Sequence, residues 1–342
     1  MGYRENMYAS NHIFYDCTLA PLPEILSTEA SSRLGHGAKM VSSKFLSKLC
    51  ALGLACVTLL ATTSTVQASP FATEIYAKSS DLDGSGDFND ANAMLGKPTT
   101  DQYSPGYKDT PGKNSKIKIT ESPYIMDTNR DKIITTINKD SWAIVKFDHM
   151  VKNDAKNPYG IDFLVFGNTG LSTPNWNNPN MNEVNISGGT YGTEEVKVSV
   201  SPGFEGLAGQ VESDHNTWRW YTYTSQTADN FFPTQGYHWD AANAKWTDNE
   251  MDFTKPVDPA LKDKIKAGGM TAAQVIEAYK GSGGGTGFDL AESGFDAIQY
   301  IKVTGNGGEV DAFADVAATP EPASLALLTI GGLTVLRRRK RK

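Results

Sequence analysis

Cysteine is scarce and confined to one end: Cys17, Cys50 and Cys56 are the only three in 342 residues. No disulfide framework can hold together a domain built downstream of them, and that region offers no cysteine nucleophile. Histidine is almost as rare, with His149, His215 and His238 the only ones beyond residue 68. They form no metal-binding pair at helical spacing, and a GxSxG nucleophile elbow is absent. Positive charge is short as well. Ser69–Thr319 holds 21 basic against 34 acidic residues, a net charge of −13, which argues against nucleic acid because phosphate binding needs a basic patch. Carboxylates are many, but no spacing marks an acid–base pair. "GSGGGTG" lacks the lysine of a phosphate loop and follows a helical pattern instead of preceding one. The expected class is therefore a non-enzyme.

What is present begins with the two ends. Residues 1–39 show no apolar periodicity and read as an over-extended N-terminus before Met40. The stretch 40–68 carries Lys44 and Lys48, an apolar run from Leu49 to Ala61 and a small-residue exit "VQA". That layout predicts a secretory signal cleaved after Ala68, in preference to a buried helix or a membrane anchor. At the other end, "TPEPASLALLTIGGLTVLRRRKRK" places an apolar segment, 323–336, before a basic tail, 337–342. As a helix those residues span roughly 21 Å against about 30 Å of hydrocarbon. The cations would stay on the cytoplasmic side, leaving the body outside.

The body, 71–317, reads as short strands between loops rich in glycine, asparagine and proline. "SWAIVKFDH" alternates, with Ala143, Val145 and Phe147 on one face; "EEVKVSVS" aligns Val196, Val198 and Val200; "IDFLVFGN" is apolar on both faces. "TWRWYTYT", "DAIQYIKVTG" and "EVDAFADVAA" supply further strands. One helical insertion interrupts them, where Thr271 and Gln274 have capping-box spacing and Ala272, Val275, Ile276 and Tyr279 form an apolar stripe. The pattern predicts a mostly β fold, an antiparallel β-sandwich with a small helical insertion on its edge or end.

Two kinds of candidate site stand out. In "DLDGSGDFNDAN", Asp81, Asp83, Ser85 and Asp87 take positions one, three, five and seven of a calcium loop, with Gly86 at the turn. Asn92 replaces the usual terminal glutamate, so a plain polar turn is the competing reading. "DTNRDKII" repeats the spacing with Asp127, Asn129 and Asp131, but has Lys132 where glycine belongs. Asp289 and Asp311 sit among apolar residues, where a carboxylate must be paired, hydrogen-bonded or metal-bound. The second kind is aromatic. Trp176, Trp239 and Trp246 lie in loop-rich segments and could stack on sugar rings, whereas Trp142, Trp218 and Trp220 alternate along strands and suit a core.

Pro320-Glu321-Pro322, a glycine-containing apolar segment and a cluster beginning Arg337, Arg338 and Arg339 together resemble the PEP-CTERM sorting signal of Gram-negative bacteria. The resemblance covers 318–342 and implies export through the Sec translocon, transient membrane insertion and removal of the tail by an exosortase. "ANAMLGKPT", "GIDFLVFGN" and "TAAQVIEAYKGSGGGTGFDLAESG" are similar to stretches of PEP-CTERM cell-surface proteins, which implies a jelly-roll-like body outside the cell. The resulting expectation is a structural protein of the envelope or biofilm matrix. A carbohydrate-binding module for exopolysaccharide is the alternative, and an extracellular hydrolase the third reading.

Overall fold

In the computed structural model, residues 68–104, 113–124 and 132–316 are described, all within one compact unit of the chain. The main sheet has the order β1-β5-β14-β9-β10. Its strands are β1 (Glu74–Lys78), β5 (Trp142–Lys152), β14 (Ala297–Thr304), β9 (Lys197–Ser201) and β10 (Tyr221–Thr222). A three-stranded sheet, β13 (Thr286–Phe288), β6 (Phe163–Phe166) and β16 (Ala312–Asp315), lies against it. Every pairing in both is antiparallel. The period-2 alternation dictates which side chains meet. Val145 and Phe147 of β5, Val198 and Val200 of β9, and Ile301 and Val303 of β14 face Phe163 and Val165 of β6, Phe288 and Phe313. The fold is an antiparallel β-sandwich.

Both outer faces are also covered. β6 is central in its sheet, and its alternate residues Leu164 and Phe166 pack with Phe253, Ala312 and Ala314. This is why "FLVF" is apolar throughout. Across the main sheet, Ile144, Trp142 and Tyr300 pack with Tyr76, Trp218 and Trp220. The segment 218–223 contributes only two strand residues, Tyr221–Thr222. Trp218 instead turns its indole N–H to Val211 O at 3.1 Å, so the loop carrying it is clamped over the sheet. "EVDAFADV" likewise divides into β15 (Gly308–Val310) and β16 at Asp311. β15 pairs with β4 (Thr135–Ile137). Gly305 precedes it because a Cβ there would lie 1.7 Å from Ile137 O.

The helices do more than trim an edge. α1 (Leu261–Lys266) and α2 (Ala272–Ala278) bury Leu261, Ile265, Val275, Ile276 and Tyr279 in a second apolar core. Loop residues Met181, Val184, Ile186, Phe231 and Met251 complete that core. The Thr271–Gln274 capping box is formed on both sides. Besides β15 with β4, three further two-stranded ribbons of the described residues lie outside the sandwich sheets. They are β2 (Asp101–Ser104) with β3 (Lys113–Lys116), β7 (Gly170–Leu171) with β8 (Thr190–Tyr191), and β11 (Tyr237–Asp240) with β12 (Lys245–Glu250). Among the described residues no helix is long and apolar enough to cross a membrane. The signal segment before Ala68, the apolar segment 323–336 and the basic tail lie outside the described residues.

Candidate functional site

The loop "NWNNPNMNE" after β7 is held by its own asparagines. Asn175 donates to Glu183 O at 2.8 Å, while Asn178 and Asn180 donate to the two Glu183 carboxylate oxygens at 3.2 and 2.9 Å. Asn182 reaches Ala241 O at 2.8 Å, tying the loop to the β11–β12 turn. Short amide side chains bridge backbone to backbone here, which explains their density. The loop presents Trp176 with 62% of its surface exposed.

Trp176 forms one wall of a groove of about 320 Å³. Trp246, on β12, contributes another wall, and Lys113, Lys116, Lys118 and Glu121 supply charge. Trp239 does not line the groove. Its ring meets Trp246 edge-on at 5.0 Å, and its indole N–H donates to Asn182 Oδ1 at 3.0 Å, so it fixes Trp246 from behind. Burial works to raise the Glu121 carboxyl, but its ion pair with Lys118 outweighs this and holds it below the usual carboxylate range. The Lys116 ammonium sits 3.4 Å from the centre of the Tyr237 ring. The structure thus brings two of the three candidate tryptophans to one opening and uses the third as support. The lysines of that opening are close neighbours in the sequence; what was not legible is their placement beside Trp246, which comes from a distant segment.

The "DLDGSGD" loop is closed on itself. The Asn89 side-chain NH2 donates to Asp81 O, Asp83 Oδ1 and Ser85 Oγ, each at 3.1 Å, while its oxygen accepts from Gly86 N at 2.6 Å. That nitrogen engages two of the side-chain oxygens, Asp83 Oδ1 and Ser85 Oγ, that a cation would need. Asp81 also accepts from Ser141 Oγ, which lowers its pKa; hydrogen bonds from Ser85 lower that of Asp83. Asp87 is exposed, and Asn92 stands in a short helical turn capped by Asp90. Asp127, Asn129 and Asp131 lie outside the described residues.

The carboxylates set among apolar residues are hydrogen-bonded, Asp311 and Asp229 buried and Asp289 half-buried. Asp311 accepts from Thr99 N and Oγ1 at 2.9 Å each, and burial pushes it up to about 7. Asp289 caps the turn Leu290–Ser293 by accepting from Ala291 N at 2.7 Å. Asp229 accepts from Thr169 N and Oγ1 at 3.0 and 2.9 Å, and burial raises it to about 7. With Glu194 and Glu309 it forms a group of three whose oxygens lie within 4.8 Å. No sequence signal marks that group, since its members are brought together from separate segments. His149 lies between Asp315 at 2.7 Å and Asp148 at 2.8 Å; the hydrogen bond to Asp315 leads in raising its pKa. No serine or threonine hydroxyl is bonded to this imidazole among the described residues.

No curated protein matches the chain. A family model for the PEP-CTERM protein-sorting motif matches residues 318–341, which include Pro320, Glu321, Pro322 and the arginines Arg337, Arg338 and Arg339. The matched segment lies beyond the described sandwich and is an address for the rest of the chain. The protein therefore carries, at residues 318–341, the C-terminal PEP-CTERM signal by which exosortase substrates are recognised.

Proposed function

We propose that the body is a saccharide-binding module that holds an extracellular polysaccharide at the cell surface, where the sorting signal delivers it. The supporting observation is the exposure of Trp176 beside Trp246 in a groove lined by asparagines and lysines. A flat indole accepts the C–H face of a sugar ring, while neighbouring amides and ammonium groups take up its hydroxyls. Glu183 holds the Trp176 loop before any ligand arrives, so little ordering entropy is lost on binding. A role as a matrix component and a role as a glycan binder then coincide: the chain contributes to the matrix by gripping its polymer. The acidic remainder of the body favours contact at this lysine-lined opening over other faces when the polymer is anionic.

The test is retention on immobilised exopolysaccharide and on a glycan array. Wild-type protein should bind and Trp176→Ala should not, with unchanged melting. Equal retention of the two would reject the groove, and no retention of either would leave a purely structural matrix role.

A further inference from the structure

Asp148 faces the first of the described residues. Its Oδ2 accepts from Ser69 N at 3.0 Å, and its Oδ1 is bonded to His149 Nδ1 at 2.8 Å. His149 Nε2 continues to Asp315 Oδ2 at 2.7 Å, and Asp315 N donates back to Pro70 O at 2.8 Å. A closed circuit thus joins Ser69–Pro70, the second half of β5 and the end of β16. Phe71 bridges to Ala314, and Ala72 N donates to Phe313 O at 3.2 Å, so pairing with the last strand starts immediately after Ser69. Ala68 is exposed, whereas Ser69 is half-buried. The small-residue exit "VQA" ends on that exposed residue.

We propose that the α-ammonium of Ser69, set free by the cleavage after Ala68 that the sequence predicts, is a structural ion paired with Asp148. The inference rests on the secretory reading of residues 40–68 and is independent of the saccharide groove. An export peptidase adds water to the Ala68 carbonyl carbon. The C–N bond to Ser69 breaks, Ala68 leaves as a carboxylate, and the Ser69 nitrogen takes a proton to become an ammonium. Before cleavage the Asp148 carboxylate receives a neutral peptide N–H at this position. Afterwards it faces a full positive charge at the same distance, and charge-assisted hydrogen bonds are the stronger kind. Maturation therefore strengthens the seam between the first and last segments of the sandwich, next to the point where the sorting tail departs. The titratable groups of the circuit are Asp148, His149 and Asp315.

The test uses full-length chain expressed in an exporting host and recovered from outside the cells. N-terminal sequencing and intact mass should place the first residue at Ser69. The α-amine should then titrate above its ordinary range of about 7.7–8.0, read from the pH dependence of labelling with an amine-specific acylating reagent. At pH 7 wild type should label about tenfold more slowly than Asp148→Asn, the ratio of one pKa unit. A different first residue, or a wild-type α-amine titrating in the ordinary range, would overturn the proposal. The wild-type titration decides the matter even where the variant fails to fold.

Discussion

Trp176 and Trp218 are the same side chain put to opposite uses. Trp218 is 6% exposed, bonded through its indole to Val211 O and packed between Tyr76 and Tyr300 at 5.3 and 4.8 Å. Trp218→Ala should cost about 3–5 kcal/mol, as deletion of a buried large aromatic does. Trp176→Ala should change stability by no more than about 0.5 kcal/mol, since its ring faces water. Chemical denaturation of both variants checks the contrast. Asp311 gives a second residue-scale prediction. Its carboxyl is raised in the fold, so between about pH 4 and pH 7 the folded state keeps a proton that the unfolded chain has released. Stability must fall as pH climbs through that window. Asp229 acts in the same direction, and His149, whose pKa is raised, contributes stability below about 6.5 that is lost as pH rises. Asp81 and Asp83, lowered in the fold, work at the acid end, where stability is lost as pH falls through their folded values. Melting temperature should drop from pH 5 to pH 8, and Asp311→Asn should shrink that drop; an unchanged drop would assign it to the other groups.

At the scale of an element, the "DLDGSGD" loop shows how one spacing serves two chemistries. Alternating oxygens that could wrap a hard cation instead surround the Asn89 amide. Calcium entry therefore requires that amide to withdraw, and the two compete for the same oxygens. Extracellular sites of this type bind with dissociation constants of about 0.1–1 mM. The expected outcome is a melting temperature that rises with millimolar calcium, rises further in Asn89→Ala, and does not respond in Asp81→Ala with Asp83→Ala. Identical curves with calcium and with chelator in all three would leave the loop as a polar turn. The helices α1 and α2 teach a related lesson. The apolar stripe and capping box of α2 were legible, because both are local in sequence. That the helices cap a second core was not, because Met181, Val184 and Phe231 reach that core from loops without periodicity.

For the whole molecule, the sorting signal and the body are separable statements. The matched segment 318–341 predicts that protein recovered from the native cell surface lacks the apolar segment and basic tail, with a C-terminus near Pro322. Intact mass measures this directly, and a chain still ending at Lys342 would point to an ordinary anchor. The side-by-side placement of the first and last segments, Phe71 against Ala314, means that the body meets the tail beside its own beginning. A net charge of −13 over Ser69–Thr319 keeps such bodies apart in solution.

The sequence by itself determined the sorting address, the β class and the inward faces of β5 and β9. Those properties are carried by contiguous order: a tripartite tail, and a period of two in "AIVKF" and "VKVSV" that forces alternate side chains to opposite faces. Only the tertiary structure decided that Trp239 supports Trp246 instead of lining the groove beside it, because exposure depends on what other segments cover. Trp218 is covered by the loop it clamps, and Trp176 is lifted clear by a loop that Glu183 holds. It also brought Ser69, Asp148, His149 and Asp315 into one circuit, although the first and last are 246 positions apart in the chain. Linear spacing carries no trace of such a meeting; the pairing of the first segment with the last strand creates it.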